Sequence, residues 1–149
     1  TFPLTLPLVR RLAPTLLLPG ALIPNASQRF VCAPVYLRPE NRSSLWTSGL
    51  DQPLCLPVAH GQGQYVCDES TLKELRESNL VAFRYVDAKG ETTAEANVNG
   101  SLDSIAGILN PRGNVLGLMP HPERHTRAAL GGEDGKALLG AFAKFAVTV

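Results

Sequence analysis

Asn114-Val115-Leu116-Gly117-Leu118-Met119-Pro120-His121-Pro122-Glu123-Arg124 is an apolar run that stops at a proline and continues as an imidazole, a second proline, a carboxylate and a guanidinium. Val115 to Met119 suits a buried strand, which Pro120 ends. Residues just past the carboxyl end of a strand project into the crevice where open α/β folds bind ligands. Pro120 and Pro122 restrict the backbone on either side of His121, so the imidazole and the carboxylate are held in place. A carboxylate bonded to one ring nitrogen fixes the tautomer and leaves the other nitrogen to take a proton from a nucleophile. His121 and Glu123 are therefore a candidate base and its orienter, against the plainer reading of a surface turn carrying a solvated acid. His121 and His125, at i and i+4, could instead be metal ligands; that pattern needs both on one helical face, which Pro122 opposes.

Working outward, Ser104–Asn110 and Val115–Met119 flank the turn Pro111-Arg112-Gly113-Asn114 and read as a hairpin. Upstream, Val81–Val86 is a strand, and Asp68–Ser78 is a helix. In that helix Thr71 and Glu74 have capping-box spacing, while Leu72, Leu75 and Leu80 supply a buried side. Pro53–Ala59 and Gln64–Cys67 read as strands on either side of His60-Gly61-Gln62-Gly63. Gln28–Arg38 is a strand in which Pro34 indicates an edge or a bulge. Downstream, Gly131-Gly132 breaks the chain before a helix over Asp134–Phe145, with Leu138, Leu139, Phe142 and Phe145 on one face. Strands, helix, strand, hairpin, helix is an α/β pattern, and a layered sandwich with a mixed sheet is the expected architecture.

The His60-Gly61-Gln62-Gly63 loop follows a strand, and its two glycines allow a ligand or a neighbouring chain close to the backbone; a tight loop with a capping histidine is the plainer alternative. It lacks the third glycine of a dinucleotide fingerprint, and the chain holds no G-x-S-x-G and no Walker-type loop. Asn97-Val98-Asn99-Gly100-Ser101, at the tip of a polar loop, is a candidate for binding contacts. Cys32, Cys55 and Cys67 have no C-x-x-C spacing and no elbow glycines, so each reads as an inert buried thiol in a reducing, cytoplasmic setting. The sequons at Asn25, Asn41 and Asn99 read as chance matches. Hydrophobic residues make up 44% of the 149, charged ones 18%, and the net charge is +1, so the chain can build a core and offers nucleic acid or an anionic membrane no electrostatic attraction. The first 15 residues differ in character: prolines among leucines, with Arg10 and Arg11, too broken for a signal peptide or a membrane span. Order is expected to begin near Leu16.

Five stretches taken together carry a resemblance: Leu17-Leu18-Pro19-Gly20-Ala21-Leu22; Arg29-Phe30-Val31-Cys32; Pro57-Val58-Ala59-His60-Gly61-Gln62-Gly63; Asn99-Gly100-Ser101 with Asp103 to Ile108; and Gly113 to Arg124. In this order they resemble the glutaminase subunits of phosphoribosylformylglycinamidine synthase, from about Leu16 to the last helix. That family is a class I glutamine amidotransferase, a three-layer, flavodoxin-like α/β fold with a Cys-His-Glu triad. The resemblance implies that His121 is the triad base and Glu123 its orienter, with His60, Gly61 and Gly63 near the glutamine site or the partner surface. It also implies a cysteine thiolate that attacks the glutamine amide, giving a γ-glutamyl thioester and ammonia. The synthase partner, which uses ATP and magnesium, spends that ammonia on formylglycinamide ribonucleotide in purine synthesis; no cofactor or metal is implied for this chain. Where the family carries its nucleophile elbow, Gly-Val-Cys-Asn-Gly-Phe-Gln, Leu4 to Arg10 reads Leu-Thr-Leu-Pro-Leu-Val-Arg. The expectation is therefore an atypical segment over residues 1–15 and, over 16–149, the later part of such a domain with its N-terminal part missing. Such a chain would be inactive alone for want of its cysteine, or else a non-catalytic docking module or truncated product.

Overall fold

The computed structural model describes residues 17–146, so the expectations for residues 1–15 and for Leu16 lie outside the described residues. The strands are β1 (Ala21–Pro24), β2 (Val31–Pro39), β3 (Leu54–His60), β4 (Gln62–Val66), β5 (Val81–Val86), β6 (Ile105–Leu109) and β7 (Leu116–Leu118). The helices are α1 (Glu69–Glu77) and α2 (Asp134–Ala146). Five strands form a sheet in the order β3-β2-β5-β6-β7, and β1 pairs with β4 in a second, two-stranded sheet.

Every one of these pairings is antiparallel, which corrects the mixed sheet expected from the sequence. The reason lies in the connections. A parallel pair needs a long crossover, commonly a helix. Here the helical connection from β4 through α1 to β5 joins two different sheets, while β6 and β7 meet in a hairpin. The hairpin turn is held by Asn110, whose Oδ1 accepts from the backbone N–H of Asn114 and of Val115, both at 3.0 Å.

Inside positions follow from strand parity. Leu54, Leu56, Val58 and His60 of β3 are buried in alternation, and β6 is buried throughout. Phe83, Tyr85, Leu37, Leu56, Leu75, Ile105 and Leu109 are the large side chains shut off from water. At roughly 1.5–3 kcal/mol per buried apolar side chain, this cluster is the main source of stability. Helix α1 contributes Leu75 and α2 contributes Leu138, whereas Leu139 is partly exposed; the side chains of Phe142 and Phe145 lie outside the described residues. The α1 cap is Asp68, whose Oδ1 accepts from Thr71 N at 2.7 Å, not Thr71 itself. Both residues suit a cap, but only Asp68 has the extended backbone that an N-cap requires.

Pro34 and Pro57 face each other across β2 and β3. Neither has an N–H, so the pair occupies a non-hydrogen-bonded position of the ladder, and both turn their carbonyls outward. On the β2 side, β5 covers only Tyr36–Pro39, so Pro34 sits where that flank is open, as a strand proline should. On the β3 side, the outward Pro57 carbonyl accepts the His121 N–H at 2.8 Å.

The sequon asparagines are all buried: Asn25 and Asn99 at 0% exposure and Asn41 at 8%, which leaves no room for a glycan. Two of these triplets are local turns. Asn41 Oδ1 accepts from Ser43 N and Oγ, and Asn99 Oδ1 accepts from Ser101 N and Oγ.

Before β6, Asp103 and Ser104 have φ of 56° and 52°, in the left-handed region that costs non-glycine residues energy. Asp103 is fixed there by Arg76 at 2.9 Å and Arg84 at 2.7 Å. Burial alone would raise its carboxyl pKa, but the hydrogen bonds from the two arginines outweigh it and hold the group below the ordinary aspartate range. A depressed carboxyl pKa contributes stability above the unfolded value, ~3.9, and loses it as pH falls through the folded one. Asp103→Asn is therefore expected to unfold at lower denaturant than the wild type at pH 7, with the gap closing below about pH 4. A gap that stayed constant down to pH 3 would mean that ionisation is not what stabilises this turn.

Candidate active site

The strand β7 ends at Leu118, Met119 N donates to Ala106 O at 3.1 Å, and the chain then turns through His121 into a 3-10 turn over Pro122–Arg124. Pro122 takes the first turn position, where its missing N–H costs nothing. His121 is tied by its own N–H to Pro57 of β3, so the turn hangs on the sheet edge. The first turn of α2 closes the same corner: Cys55 N donates to Asp134 Oδ2 at 2.7 Å, and Gly135 N donates to His125 O at 2.9 Å.

Within this turn His121 Nδ1 lies 2.7 Å from Glu123 Oε1. A carboxylate accepts only, so Nδ1 carries the proton and Nε2 presents its lone pair. Glu123 also meets Arg124 Nε at 3.6 Å. Glu123 is 58% exposed, and an ion pair of that kind contributes about 0–1 kcal/mol to stability. What the contact does is set the tautomer and aim the ring. His125 does not share a helical face with His121, because the backbone at both is non-helical (φ −103°, ψ 89° and φ −135°, ψ 50°). Its ring lies against Gly132 instead. Among the described residues no group of three His, Cys, Asp or Glu side chains could hold a metal ion.

His60 closes β3 and points inward, at 7% exposure. Its Nδ1 is 3.0 Å from Asn25 Oδ1, and Asn25 Nδ2 donates to the His60 carbonyl at 2.8 Å. Burial, with a smaller effect of the His121 imidazole and against a raising backbone contact, lowers the His60 pKa below the usual histidine value. Gly63 lies against the ring, where a Cβ would come within 2.7 Å of Nε2. The Gly61 carbonyl accepts from Asn25 N at 2.9 Å, and the Gly63 carbonyl accepts from Asn99 Nδ2 at 2.7 Å. Asn99 and Ser101, read from the sequence as part of a loop tip that could carry binding contacts, face into the protein and brace this loop. Asn25 is a positioning residue that sequence reasoning missed, its Asn-x-Ser triplet having read as a chance match, and Asn99 stood out only as part of a polar loop tip.

The cysteines fall elsewhere. Cys32 is exposed on β2, which corrects the expectation of a buried thiol: strand parity puts it opposite Val31, and nothing covers that face among the described residues. Cys55 and Cys67 are half-buried, and burial pushes both thiols up, with Asp134 adding to the effect at Cys55. Among the described residues no cysteine hydrogen-bonds to His121. A cavity of about 330 Å³ between Leu18–Leu22 and the β6–β7 hairpin is lined by Tyr65, Ile108, Leu118 and Met119 among others. Its walls are mainly apolar, a poor match for the charged ends of a free amino acid.

Known proteins resemble this chain in sequence and in fold. The phosphoribosylformylglycinamidine synthase subunit PurQ of Synechocystis sp. (strain ATCC 27184 / PCC 6803 / Kazusa) is 49% identical over 124 residues, 82% of this chain and 55% of the relative. A solved structure, PurLQS from Thermotoga maritima, superposes with a TM-score of 0.70 at 39% identity, covering 87% of this chain and 54% of that one. The chain spans about half the length of the relatives it matches. The layered α/β arrangement is that of the class I glutamine amidotransferase fold. Residues 16–131 match the CobB/CobQ-like glutamine amidotransferase domain, and by that match, which takes in most of the chain, this protein belongs to the CobB/CobQ-like glutamine amidotransferase family.

Proposed function

We propose that the chain is the base-bearing part of the glutaminase of phosphoribosylformylglycinamidine synthase, supplying ammonia from glutamine for purine synthesis. The observation that carries this reading is the His121 Nδ1–Glu123 Oε1 contact of 2.7 Å in a turn pinned to Pro57. Glu123 keeps the proton on Nδ1, so Nε2 can take the proton of a cysteine thiol. The thiolate then attacks the glutamine side-chain carbonyl. As the C–N bond breaks, His121 returns the proton to the leaving nitrogen, and ammonia departs from a γ-glutamyl thioester that water opens to glutamate. The relatives' names support a synthase subunit as partner; in this reading that partner, not this chain, uses ATP and magnesium, and the complex works in the cytoplasm. No helix of the described residues is long and apolar enough to cross a membrane.

By itself the chain is expected to be inactive, because none of Cys32, Cys55 and Cys67 hydrogen-bonds to His121 among the described residues and Leu4 to Arg10 carries no cysteine. That same observation favours a second reading, a non-catalytic module that docks on the synthase. Ammonia release from glutamine separates them. The purified chain should release none alone and should gain cysteine-dependent release when mixed with the N-terminal half of the Synechocystis relative and its synthase subunit. His121→Ala should reduce that release by at least about 10³-fold, since triad members act as a unit. Turnover by the chain alone would refute the inactivity, and complex formation with no turnover would leave the docking module.

A further inference from the structure

Among the described residues β3 is an edge strand, paired with β2 alone. Pro34 and Pro57 face each other at a non-hydrogen-bonded position of that pair, so the strand's period of two turns the backbone groups of both Cys55 and Pro57 to the open edge. Two elements use that edge. The Pro57 carbonyl accepts from His121 N at 2.8 Å, and Cys55 N donates to Asp134 Oδ2 at 2.7 Å. The same two elements are joined to each other: Gly135 N donates to His125 O at 2.9 Å, and a Cβ at Gly135 would overlap the Pro122 carbonyl oxygen. The contacts close a circuit from β3 through the His121 turn to the start of α2 and back to β3. Of its three hydrogen bonds, only the one to Asp134 uses a side chain. An acidic residue in the first turn of a helix ordinarily serves that helix, by complementing its dipole or capping its free N–H groups. Asp134 reaches instead to a strand N–H 79 positions away in sequence, and a carboxylate is the strong acceptor for such a bond. The side chains of His121 and Glu123 are 31% and 58% exposed, so their own contact is too weak to fix where the ring stands. It sets a tautomer, and the backbone beneath it sets a place.

On the glutaminase reading above, we infer that Asp134 is a positioning residue for the reaction: it holds the start of α2 on the β3 edge and, through the Gly135–His125 link, fixes the place of the His121 ring. It touches no reacting atom. A base must stand within hydrogen-bond reach of the thiol it deprotonates, and a misplacement of about 1 Å can cost ~10²-fold in rate.

Amide hydrogen exchange on the chain as it exists reads this circuit. In the wild type the amides of Cys55, His121 and Gly135 should open together as one unit, more readily than those of β5 in the middle of the sheet. Asp134→Ala should speed exchange at His121 about tenfold, the loss of one hydrogen bond, and leave β5 unchanged. Asp134→Asn keeps an acceptor oxygen but not the charge, so His121 should exchange near the wild-type rate although the helix dipole loses its partner. In the mixture with the N-terminal half of the Synechocystis relative and its synthase subunit, Asp134→Ala should lower kcat for ammonia release by about 10- to 100-fold, with the KM for glutamine within about twofold, and Asp134→Asn should restore most of the rate. Equal acceleration at His121 and β5 would assign Asp134 to general stability and overturn the inference. An unchanged kcat in Asp134→Ala, where the wild type turns over, overturns it and leaves the glutaminase reading standing. If Asp134→Ala does not fold, the wild-type exchange decides, and separate opening of Cys55 and His121 overturns the inference. No ammonia from the wild-type mixture overturns the glutaminase reading and the positioning role with it.

Discussion

Replacing Gly135 by alanine is expected to lower the melting temperature by roughly 10 °C, the shift that ~3 kcal/mol produces in a domain of this size. A Cβ at that position would overlap the Pro122 carbonyl oxygen and stand 2.7 Å from the Pro122 carbonyl carbon and 2.9 Å from His125 O. All three obstacles are backbone, so no rotamer change relieves them. Either α2 lifts away, losing the Gly135 N–His125 O bond and the Asp134 contact to Cys55 N, or the turn carrying His121 and Glu123 moves. Overpacking of this kind costs about 1–3 kcal/mol, and the lost hydrogen bonds add to it. Gly140→Ala is the matched control, in the same helix with open space where its Cβ would go. It should stabilise by up to ~1 kcal/mol, because alanine loses less backbone entropy in a helix than glycine does. Equal melting temperatures for the two variants would show that α2 does not press on the His121 turn.

What could be read from the sequence was what is local. Val81–Val86 was legible to the residue, because β-branched and aromatic residues are bounded there by turn residues, and the hairpin around Pro111-Arg112-Gly113-Asn114 was legible for the same reason. His121 and Glu123 are two residues apart, so their contact needs nothing beyond one turn. Sheet direction was not legible, since it depends on which strand each element returns to, and β1 was hidden by the prolines around it. Strand parity separates Cys32 from Val31 but does not say which side another element covers. His60 drew attention as part of a glycine loop, yet its environment comes from Asn25, 35 residues away, and from Asn99, which reaches Gly63 across 36. Buried polar partners at that separation leave no periodic signal.

Asn99→Ala should be the most damaging single change outside the apolar core. Asn99 is fully buried; its Nδ2 donates to Gly63 O and, at 3.1 Å, stands against the Tyr85 hydroxyl, while its Oδ1 accepts from Ser101 N and Oγ. Truncation leaves several of these groups without a partner in a place water does not reach, and at about 1–3 kcal/mol for each orphaned group the loss should be ~3–5 kcal/mol. The urea midpoint should fall accordingly with an unchanged slope. Asn99→Asp tests the cause. It preserves the shape but sets a carboxylate oxygen against the Gly63 carbonyl, and burial raises the pKa of such a group above its unfolded value. A carboxyl whose folded pKa is raised binds more protons folded than unfolded, so this variant should gain stability as pH falls from 7 toward 4, where a protonated oxygen can donate to Gly63. Because Gly63 lies against the His60 ring, the same titration should move the His60 ring signals in step with stability. A variant equally stable at pH 4 and pH 7, with His60 unmoved, would mean that water reaches residue 99 and that the loop is not braced from that side.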